Sequence, residues 1–336
     1  MGQRKSNKSF NLFLIVIVLI LFLIYGYLFQ GFVPIFSPQA TLPALKSAQL
    51  FVEPDDGRPY IIDAIDNAKE SVDMEVYILS DSKIISALIN AKDRGVIVRV
   101  ILEESPYLGY GANKEAKNKL AHYGVDVKWS NRVYRFTHSK FFVTDEVNGY
   151  ILTLNLSKSA FTKNREFGVI IRDPISVGEL KKIFQADWDR KPYKATESPL
   201  VVSPENARIK LEALIGSAEK EILVYAEVMN DPAFEKLLVA KAQSAVLVCV
   251  ILADPKDIDS NADAYERFSD SKIQVSICST PFTHAKAILV DDSVAYIGSI
   301  NFSTTSMDKN REVGIIVSSP DVISKLKTTF LYDFRP

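Results

Sequence analysis

Two hydrophobic patterns alternate along the chain after residue 48. Short runs rich in β-branched residues, such as VIVRVIL (96–102) and VLVCVIL (246–252), are typical of buried strands. Between these runs, apolar residues recur every three or four positions, which is the spacing of an amphipathic helix. The patterns predict elements in this order: strand 50–52, helix 58–70, strand 72–79, helix 82–94 and strand 96–102, then helix 208–220, strand 222–229, helix 232–244 and strand 246–252. Strands that alternate with helices predict an α/β sandwich around a parallel or mixed sheet.

The predicted elements occur twice. Residues 50–102 align with residues 200–252 without a gap, and identical residues recur 150 positions apart. Further along the chain the offset falls to 146, so the first copy carries four extra residues, which we expect in the loop at 104–114. A period of this length indicates a duplicated domain rather than a solenoid. We therefore predict two α/β/α sandwich domains, at 48–194 and 195–336, related by a pseudo-twofold axis.

An uncharged apolar run of twenty residues, Phe10 to Phe29, lies close to the N-terminus. As a helix it would be about 30 Å long, enough to cross the hydrocarbon core of a bilayer. The run is longer than the apolar region of a signal peptide, and no small-residue cleavage site follows it. We therefore predict a transmembrane anchor over 10–30, in preference to a cleaved signal or a buried core helix. The flanking segments are a basic tail (1–9) and a proline-containing stalk (31–47).

The basic tail also predicts the orientation of this anchor. Arg4, Lys5 and Lys8 precede the apolar run, and no basic residue follows it closely. The positive-inside rule then places the N-terminus in the cytoplasm. We expect a single-pass membrane protein whose folded region is extracytoplasmic.

The overall charge argues against binding of long nucleic acids by electrostatics alone. The chain has 40 Lys and Arg against 41 Asp and Glu, and three of the basic residues belong to the N-terminal tail. The count does not exclude a local basic groove, and the stretch KWSNRVYRF (128–136) would supply part of one.

The two cysteines, Cys249 and Cys278, lie in apolar segments of the second half. No Cys or His spacing typical of a metal site occurs. We expect two buried thiols, with a single disulfide between neighbouring strands as the alternative.

One short phrase carries two of the three histidines in the chain. It occurs as RFTHSKFFVTD and as PFTHAKAILVD, and its polar residues are His138, Lys140 and Asp145 in the first copy and His284, Lys286 and Asp291 in the second. On a strand, the His and Lys side chains would share one face. Each copy then carries a hydroxyl residue, an asparagine and an NRE triplet whose Glu lies 28 residues after the His: Thr153, Asn155 and Glu166, and Ser299, Asn301 and Glu312. The third histidine, His122, is predicted to lie at an exposed helix end.

The doubled HxKxxxxD phrase, with its downstream Asn and Glu, resembles the signature of the phospholipase D superfamily. The resemblance covers nearly the whole chain after residue 48. It implies phosphodiester hydrolysis through a phosphohistidine, because one imidazole can attack phosphorus while the other protonates the leaving oxygen. It implies no cofactor and no metal. His138 is the expected nucleophile by resemblance, but the duplication leaves the assignment open.

The resemblance also implies roles for the remaining residues. The implied catalytic residues are His138, Lys140, Asp145, His284, Lys286, Asp291, Glu166 and Glu312, with the two aspartates more often structural in this family. The glutamates would orient the histidine rings. The implied phosphate-binding residues are Lys140, Lys286, Thr153, Asn155, Ser299 and Asn301. The first copy departs from the family pattern at Leu152-Thr153, where Gly-Ser is preferred, and the second copy retains Gly298-Ser299.

Three substrate classes fit these residues. We expect phospholipid hydrolysis by a membrane-anchored monomer, since an anchor would hold the site near lipid. A membrane-tethered nuclease of the same superfamily is the alternative, and it would need a basic groove lined with aromatic residues. A further alternative is phosphatidyl transfer, as in cardiolipin synthases.

Overall fold

Two mixed sheets with the same strand order form the centre of the protein. The computed structural model describes residues 42–107 and 111–335. The first sheet has the order β1-β7-β6-β5-β2-β3-β4, where the strands are β1 (Gln49–Glu53), β2 (Ser71–Val76), β3 (Ile97–Leu102), β4 (Asp126–Trp129), β5 (Lys140–Thr144), β6 (Asn148–Leu152) and β7 (Asn164–Ile171). In the second sheet the order is β8-β15-β14-β13-β9-β10-β11, and the second half contributes β8 (Leu200–Ser203), β9 (Glu221–Ala226), β10 (Leu247–Leu252), β11 (Gln274–Ile277), β12 (Phe282–Thr283), β13 (Lys286–Val290), β14 (Val294–Gly298) and β15 (Glu312–Val317). The matching order is the structural counterpart of the sequence repeat.

Helices flank both sheets. They are α1 (Pro59–Asn67), α2 (Ser82–Asp93), α3 (Ala112–His122), α4 (Pro174–Asp189), α5 (Ala207–Gly216), α6 (Pro232–Gln243), α7 (Ala262–Ser269), α8 (Thr304–Asp308) and α9 (Pro320–Asp333), with a short 3₁₀ turn at Asp259–Asn261. The repeat extends to the helix caps, because Asp81 caps α2 and Asp231 caps α6 through backbone N–H groups. Each capping aspartate also pairs with an arginine of the preceding helical region, Arg58 or Arg208.

A continuous hydrophobic core joins the two halves. One face of each sheet contributes to it, together with α4 and α9, through residues such as Phe167, Phe184, Tyr225 and Phe330. The opposite face of each sheet packs on its own helices in a separate core. Because the central core is shared, residues 42–335 form one compact unit.

The mixed α/β fold is confirmed, with element ends that differ by a few residues. The strands predicted over 72–79 and 222–229 end earlier, as β2 at Val76 and β9 at Ala226. The residues that follow each strand turn into the site described below.

The predicted anchor over 10–30 lies outside the described residues. Within 42–107 and 111–335, no helix has the length and apolar character needed to cross a membrane. The last residues of the predicted stalk are described, and they pack on the second half: Leu45 pairs with Val317, and its N–H donates to the Ile316 carbonyl at 2.9 Å.

Two peripheral predictions are also tested. Cys249 is buried, Cys278 is half-buried and both are free thiols, so the disulfide alternative is wrong. His122 is exposed at the end of α3, as expected.

Candidate active site

Each histidine segment crosses to the other half of the protein. An isolated parallel β-bridge between Thr137 and Arg311 places the first His phrase beside the second NRE triplet, and the His138 N–H donates to the Arg311 carbonyl at 2.8 Å. Reciprocally, β12 runs parallel to β7, with Thr283 opposite Arg165. This exchange brings each histidine to the glutamate of the opposite copy.

The Nδ1 atoms of both histidines contact these glutamates. His138 Nδ1 lies 2.9 Å from both carboxylate oxygens of Glu312. His284 Nδ1 lies 2.7 Å from Glu166 Oε1. Both glutamates are fully buried, while both histidine side chains are 12% exposed. Since each Nδ1 faces a carboxylate, Nε2 is the nitrogen of each ring that is available for chemistry.

Burial and neighbouring charges tune these groups. Burial lowers the pKa of His138 below its usual range, against the opposing effect of Glu312. Burial acts to raise the pKa of Glu312, but the charges of His138 and Lys140 hold it below its usual range. A neutral imidazole beside an ionised carboxylate is the arrangement expected of a base or nucleophile.

Both motif lysines are fully buried at the same end of their strands. Lys140 donates to the His138 carbonyl, and Lys286 donates to the His284 carbonyl at 2.5 Å. Burial lowers the pKa of Lys140 to about 7, and the charges of Glu312 and Lys286 act on the same ammonium. Glu312 and Lys286 belong to the second half, so charges from both halves act on the Lys140 ammonium.

The hydroxyl residues contact the glutamates. Thr153 Oγ1 donates to Glu166 Oε2 at 2.7 Å and accepts the Phe167 N–H at 2.8 Å. Ser299 Oγ accepts the Val313 N–H at 3.0 Å and lies beside Glu312, whose pKa it helps to lower. Both hydroxyls therefore support the orienting carboxylates, and their contact with a phosphate stays a prediction.

The two predicted asparagines occupy equivalent positions after β6 and β14. The side-chain oxygens of Asn155 and Asn301 are buried and have no hydrogen-bond partner in the described part of the chain. Unpartnered buried polar atoms cost free energy, and their occurrence at the same place in both halves is typical of a ligand site.

The motif aspartates lie away from the site. Asp145 and Asp291 follow the far ends of β5 and β13, in left-handed backbone conformations with φ of 53° and 50°. Their carboxylates accept backbone N–H groups of residues 69–71 and 219–221 at 2.7–3.1 Å. These contacts fix the start of β2 and β9, so both aspartates are structural, which corrects their inclusion among the catalytic residues.

The departure at Leu152 has a packing explanation. A Cβ on its counterpart Gly298 would lie 2.6 Å from the Tyr296 hydroxyl, which leaves room only for glycine. Tyr150, the counterpart of Tyr296, instead stacks on Phe142 with ring centroids 4.2 Å apart. Leu152 is buried in the hydrophobic core of the first half. Leu152 therefore fills space in the core of the first half, whereas the second half has room only for Gly298 at this position. The hydrogen bond from Thr153 to Glu166 is kept.

Two residues of the site lie outside the sequence motifs. Tyr77 follows β2, and its ring packs edge-on against His138 with centroids 4.4 Å apart. Glu227 occupies the equivalent position after β9, 150 residues later, and lies 3.3 Å from His284 Nε2 through Oε1. The repeat alignment pairs these two residues, but only the fold shows that the end of this strand faces the histidines.

The arginines of the NRE triplets bind the two halves together. Arg165 in the first half donates to both carboxylate oxygens of Asp333 in α9, at 2.6 and 3.0 Å. Arg311 in the second half donates to Asp187 in α4 at 3.2 Å and to Glu205 at 2.7 Å. Because each arginine stands next to an orienting glutamate in sequence, these buried pairs also fix the backbone of the site.

An open cleft of about 560 Å³ lies beside the first half-site. Tyr77 contacts both His138 and a residue that lines the cleft: its ring packs on His138, and its OH accepts the Tyr107 N–H at 2.6 Å. The cleft is lined by Glu103, Glu104, Ser105, Tyr107, Ser130, Asn131, Arg132, Val133, Tyr134, Arg135 and Phe136. Tyr107 and Val133 are more than 70% exposed at its rim.

The stretch 128–136 does not form one basic aromatic platform. Lys128 Nζ lies 4.3 Å from the ring centroid of Trp188 in α4, while the Tyr134 hydroxyl accepts a hydrogen bond from the buried Arg311. Arg132 pairs with Glu104 at 2.7 Å. Arg135 lies 5.0 Å from the ring centroid of Phe136, so only part of this stretch keeps the basic and aromatic character that a nuclease groove would need.

Two histidine–glutamate pairs and two buried lysines, contributed by duplicated α/β halves, define an enzyme of phosphodiester chemistry. The comparisons with known proteins agree with this. A family model described as "Cardiolipin synthase, PLD-like domain" matches residues 61–188 and 211–334. The chain belongs to the phospholipase D superfamily and is an enzyme of phosphodiesterase type.

Curated relatives carry two kinds of name. A phospholipase D of Rickettsia conorii is 29% identical over 200 residues, which are 55% of this chain and 96% of that protein. Cardiolipin synthase 2 of Bacillus cereus is 24% identical over 325 residues, which are 82% of this chain and 62% of that protein. This chain thus spans less than two thirds of the synthase.

Solved structures share the fold at low identity. The structure of phosphatidylserine synthase from Haemophilus influenzae aligns with 86% of this chain and over 87% of its own length, with a TM-score of 0.62 and 13% identity. The polyphosphate kinase of Porphyromonas gingivalis gives a TM-score of 0.68 at 15% identity, over 86% of this chain and 51% of that one. These likenesses show the fold alone.

The Glu312→Gln variant is expected to keep the fold and to lower kcat by about 10²-fold or more, as expected when the acid that orients a catalytic histidine loses its charge. The amide keeps the shape of the carboxylate but does not stabilise an imidazolium. Steady-state kinetics on an activated phosphodiester, with thermal melting as the fold check, would measure this. The exposed Glu266→Gln is the matched control, and a Glu312→Gln enzyme within about threefold of it would contradict the orienting role.

Proposed function

We propose that this protein hydrolyses phospholipids to phosphatidic acid and the headgroup alcohol through a covalent phosphohistidine. The observation that carries the proposal is the pair of histidines whose Nδ1 atoms are bound by buried glutamates of the opposite half. This arrangement leaves two Nε2 atoms for opposite sides of one phosphorus. Both half-sites come from a single chain, which supports activity as a monomer.

The reaction needs two proton transfers. One histidine Nε2 forms a bond to phosphorus while the P–O bond to the headgroup breaks, and the other histidine protonates the departing oxygen. That second histidine then takes a proton from water, whose oxygen attacks phosphorus and displaces the first histidine. Lys140 and Lys286 are suited to stabilise the nonbridging oxygens, since both ammonium groups are buried at the site.

Two observations favour lipid over nucleic acid. The cleft next to the first half-site has Tyr107 and Val133 exposed at its rim, and one of its two lining arginines, Arg132, is paired with Glu104. The apolar segment at 10–30, as a membrane anchor with the N-terminus in the cytoplasm, would keep the site at a lipid surface. A membrane-tethered nuclease remains the alternative.

Phosphatidyl transfer is a second candidate. It shares the covalent intermediate and differs only in the acceptor, because an alcohol replaces water. The match of 82% of this chain to a protein named cardiolipin synthase favours testing it.

The test offers the full chain in mixed micelles three substrates without added metal. These are labelled phosphatidylcholine, phosphatidylglycerol, which can serve as both phosphatidyl donor and alcohol acceptor, and single-stranded DNA. We expect release of choline and phosphatidic acid that depends on both His138 and His284. Cleavage of DNA alone would replace the lipid proposal by the nuclease, and transfer without hydrolysis would replace it by the synthase. Cleavage of none of the three would refute the proposed function.

A further inference from the structure

The two half-sites differ in the residue that faces the histidine ring. In the first half this residue is Tyr77, whose ring packs on His138 and lies 5.0 Å from Lys140 Nζ. In the second half it is Glu227. The duplication is therefore broken at the chemical centre by one additional carboxylate.

Glu227 binds both motif residues of the second half-site. Its Oε1 lies 3.3 Å from His284 Nε2, and its Oε2 lies 2.5 Å from Lys286 Nζ. The side chain is only 14% exposed. Burial by itself acts to raise the pKa of Glu227, but the charges of His284 and Lys286 dominate and lower it well below its usual range. Glu227 is therefore a carboxylate.

His284 consequently has a carboxylate on each ring nitrogen. Glu166 Oε1 is 2.7 Å from Nδ1, and Glu227 Oε1 is 3.3 Å from Nε2. A neutral imidazole carries one N–H, whereas an imidazolium carries two and can donate to both acceptors. The other charged group in contact with the ring is Lys286, whose Nζ lies 3.2 Å from His284 Nδ1 and is itself paired with Glu227. A proton on His284 Nε2 therefore has a carboxylate acceptor in Glu227.

His138 has a different environment. Its Nδ1 is bound by Glu312, and its ring is covered by Tyr77 rather than by a second carboxylate. Within residues 42–107 and 111–335, no acidic group forms an ion pair with its Nε2. Burial lowers the pKa of His138, so its neutral form presents a lone pair on Nε2.

We propose that Glu227 is a positioning residue that holds the proton on His284 Nε2, and thereby assigns protonation of the leaving group to His284 and attack to His138. This inference rests on the proposed function. In the first step His138 Nε2 bonds to phosphorus and the P–O bond to the headgroup breaks. At the same time the proton on His284 Nε2 leaves its hydrogen bond with Glu227 and transfers to the departing oxygen. Neutral His284 then takes a proton from the attacking water, which restores the original protonation.

The leaving group supplies the test, since protonation matters only for a poor one. Two soluble short-chain substrates are compared: a phosphatidylcholine, whose alkoxide needs a proton, and the p-nitrophenyl ester of the same phosphatidic acid, whose phenolate does not. For Glu227→Gln we expect kcat/KM to fall about 10-fold to 100-fold on phosphatidylcholine and less than about threefold on the p-nitrophenyl ester. A merely structural role would lower both equally.

The pH profile is an independent measurement on the same variant. The alkaline limb of kcat/KM on phosphatidylcholine reports the essential acid of the free enzyme. Removing an anionic neighbour of His284 should move this limb about 1–2 units toward lower pH. The charge-matched control, Glu266→Gln, is exposed and outside the site, and its profile should match the wild type.

The outcomes separate this inference from the proposed function. If the wild type cleaves neither substrate, the proposed function is overturned. If the wild type cleaves both, an equal loss on both substrates or no loss on either overturns the role of Glu227 alone. If thermal melting shows that Glu227→Gln does not fold, the two substrates are compared with Glu227→Tyr instead, which introduces the residue type found at the equivalent position of the first half.

Discussion

Replacing either His138 or His284 with asparagine is expected to lower kcat/KM for phosphodiester hydrolysis by at least about 10⁴-fold. Both rings are needed because bond formation to phosphorus and protonation of the leaving oxygen occur on opposite sides of one centre. The kcat/KM of the double variant should lie within about tenfold of that of the less active single variant, because the effects of groups that act as a unit are not additive.

Steady-state hydrolysis of phosphatidylcholine by the purified variants would measure this effect. His122→Asn is the matched control, because His122 is exposed at the end of α3 and should leave the rate unchanged. A single variant that retains a tenth of the wild-type rate would show that one imidazole suffices, and the two-histidine mechanism would then be abandoned.

The Arg311→Met variant is expected to lower the free energy of unfolding by about 3–5 kcal/mol, the usual result when one partner of a buried ion pair is removed. Arg311 is fully buried, and its guanidinium lies 2.8 Å from Asp187 Oδ2 and 2.7 Å from Glu205 Oε2. Methionine fills part of the volume but leaves these carboxylates without a counter-charge in the centre of the protein.

Urea denaturation followed by fluorescence would give the difference in stability. Arg132→Met provides the comparison, since that side chain is 82% exposed and its pair with Glu104 should contribute less than about 1 kcal/mol. Equal losses for the two variants would mean that the buried network does not hold the halves together.

These two predictions depend on different features of the sequence. The histidines were recognisable because the same spacing of His, Lys, Asn and Glu occurs twice, which chance seldom produces. Arg311 was also visible in the NRE triplet, but its role was not. Its partners Asp187 and Glu205 are more than 100 positions away, and no local pattern connects them.

The same distinction applies to the aspartates and hydroxyls. Asp145 and Asp291 belong to the motif by spacing, yet each follows the far end of a five-residue strand that begins with the motif lysine. At about 3.3 Å per residue, that strand places them at the opposite end of the sheet from the histidines. Thr153 and Ser299 are near the site, but their hydrogen bonds go to the glutamates. Spacing along the chain does not reveal which end of a strand carries the chemistry.

The order of amino acids is enough to predict the alternating α/β pattern, the duplication, the two histidine–lysine motifs and the glutamates 28 residues beyond them. Those features follow from local periodicity and from repetition, both of which can be read along the chain. The folded arrangement is needed to show that each histidine pairs with the glutamate of the other half, and that Glu227 faces His284 where Tyr77 faces His138. The reason is physical: the pairing arises from strands that cross between halves, and the electrostatic difference between the histidines arises from side chains that meet only when two sheets share one core.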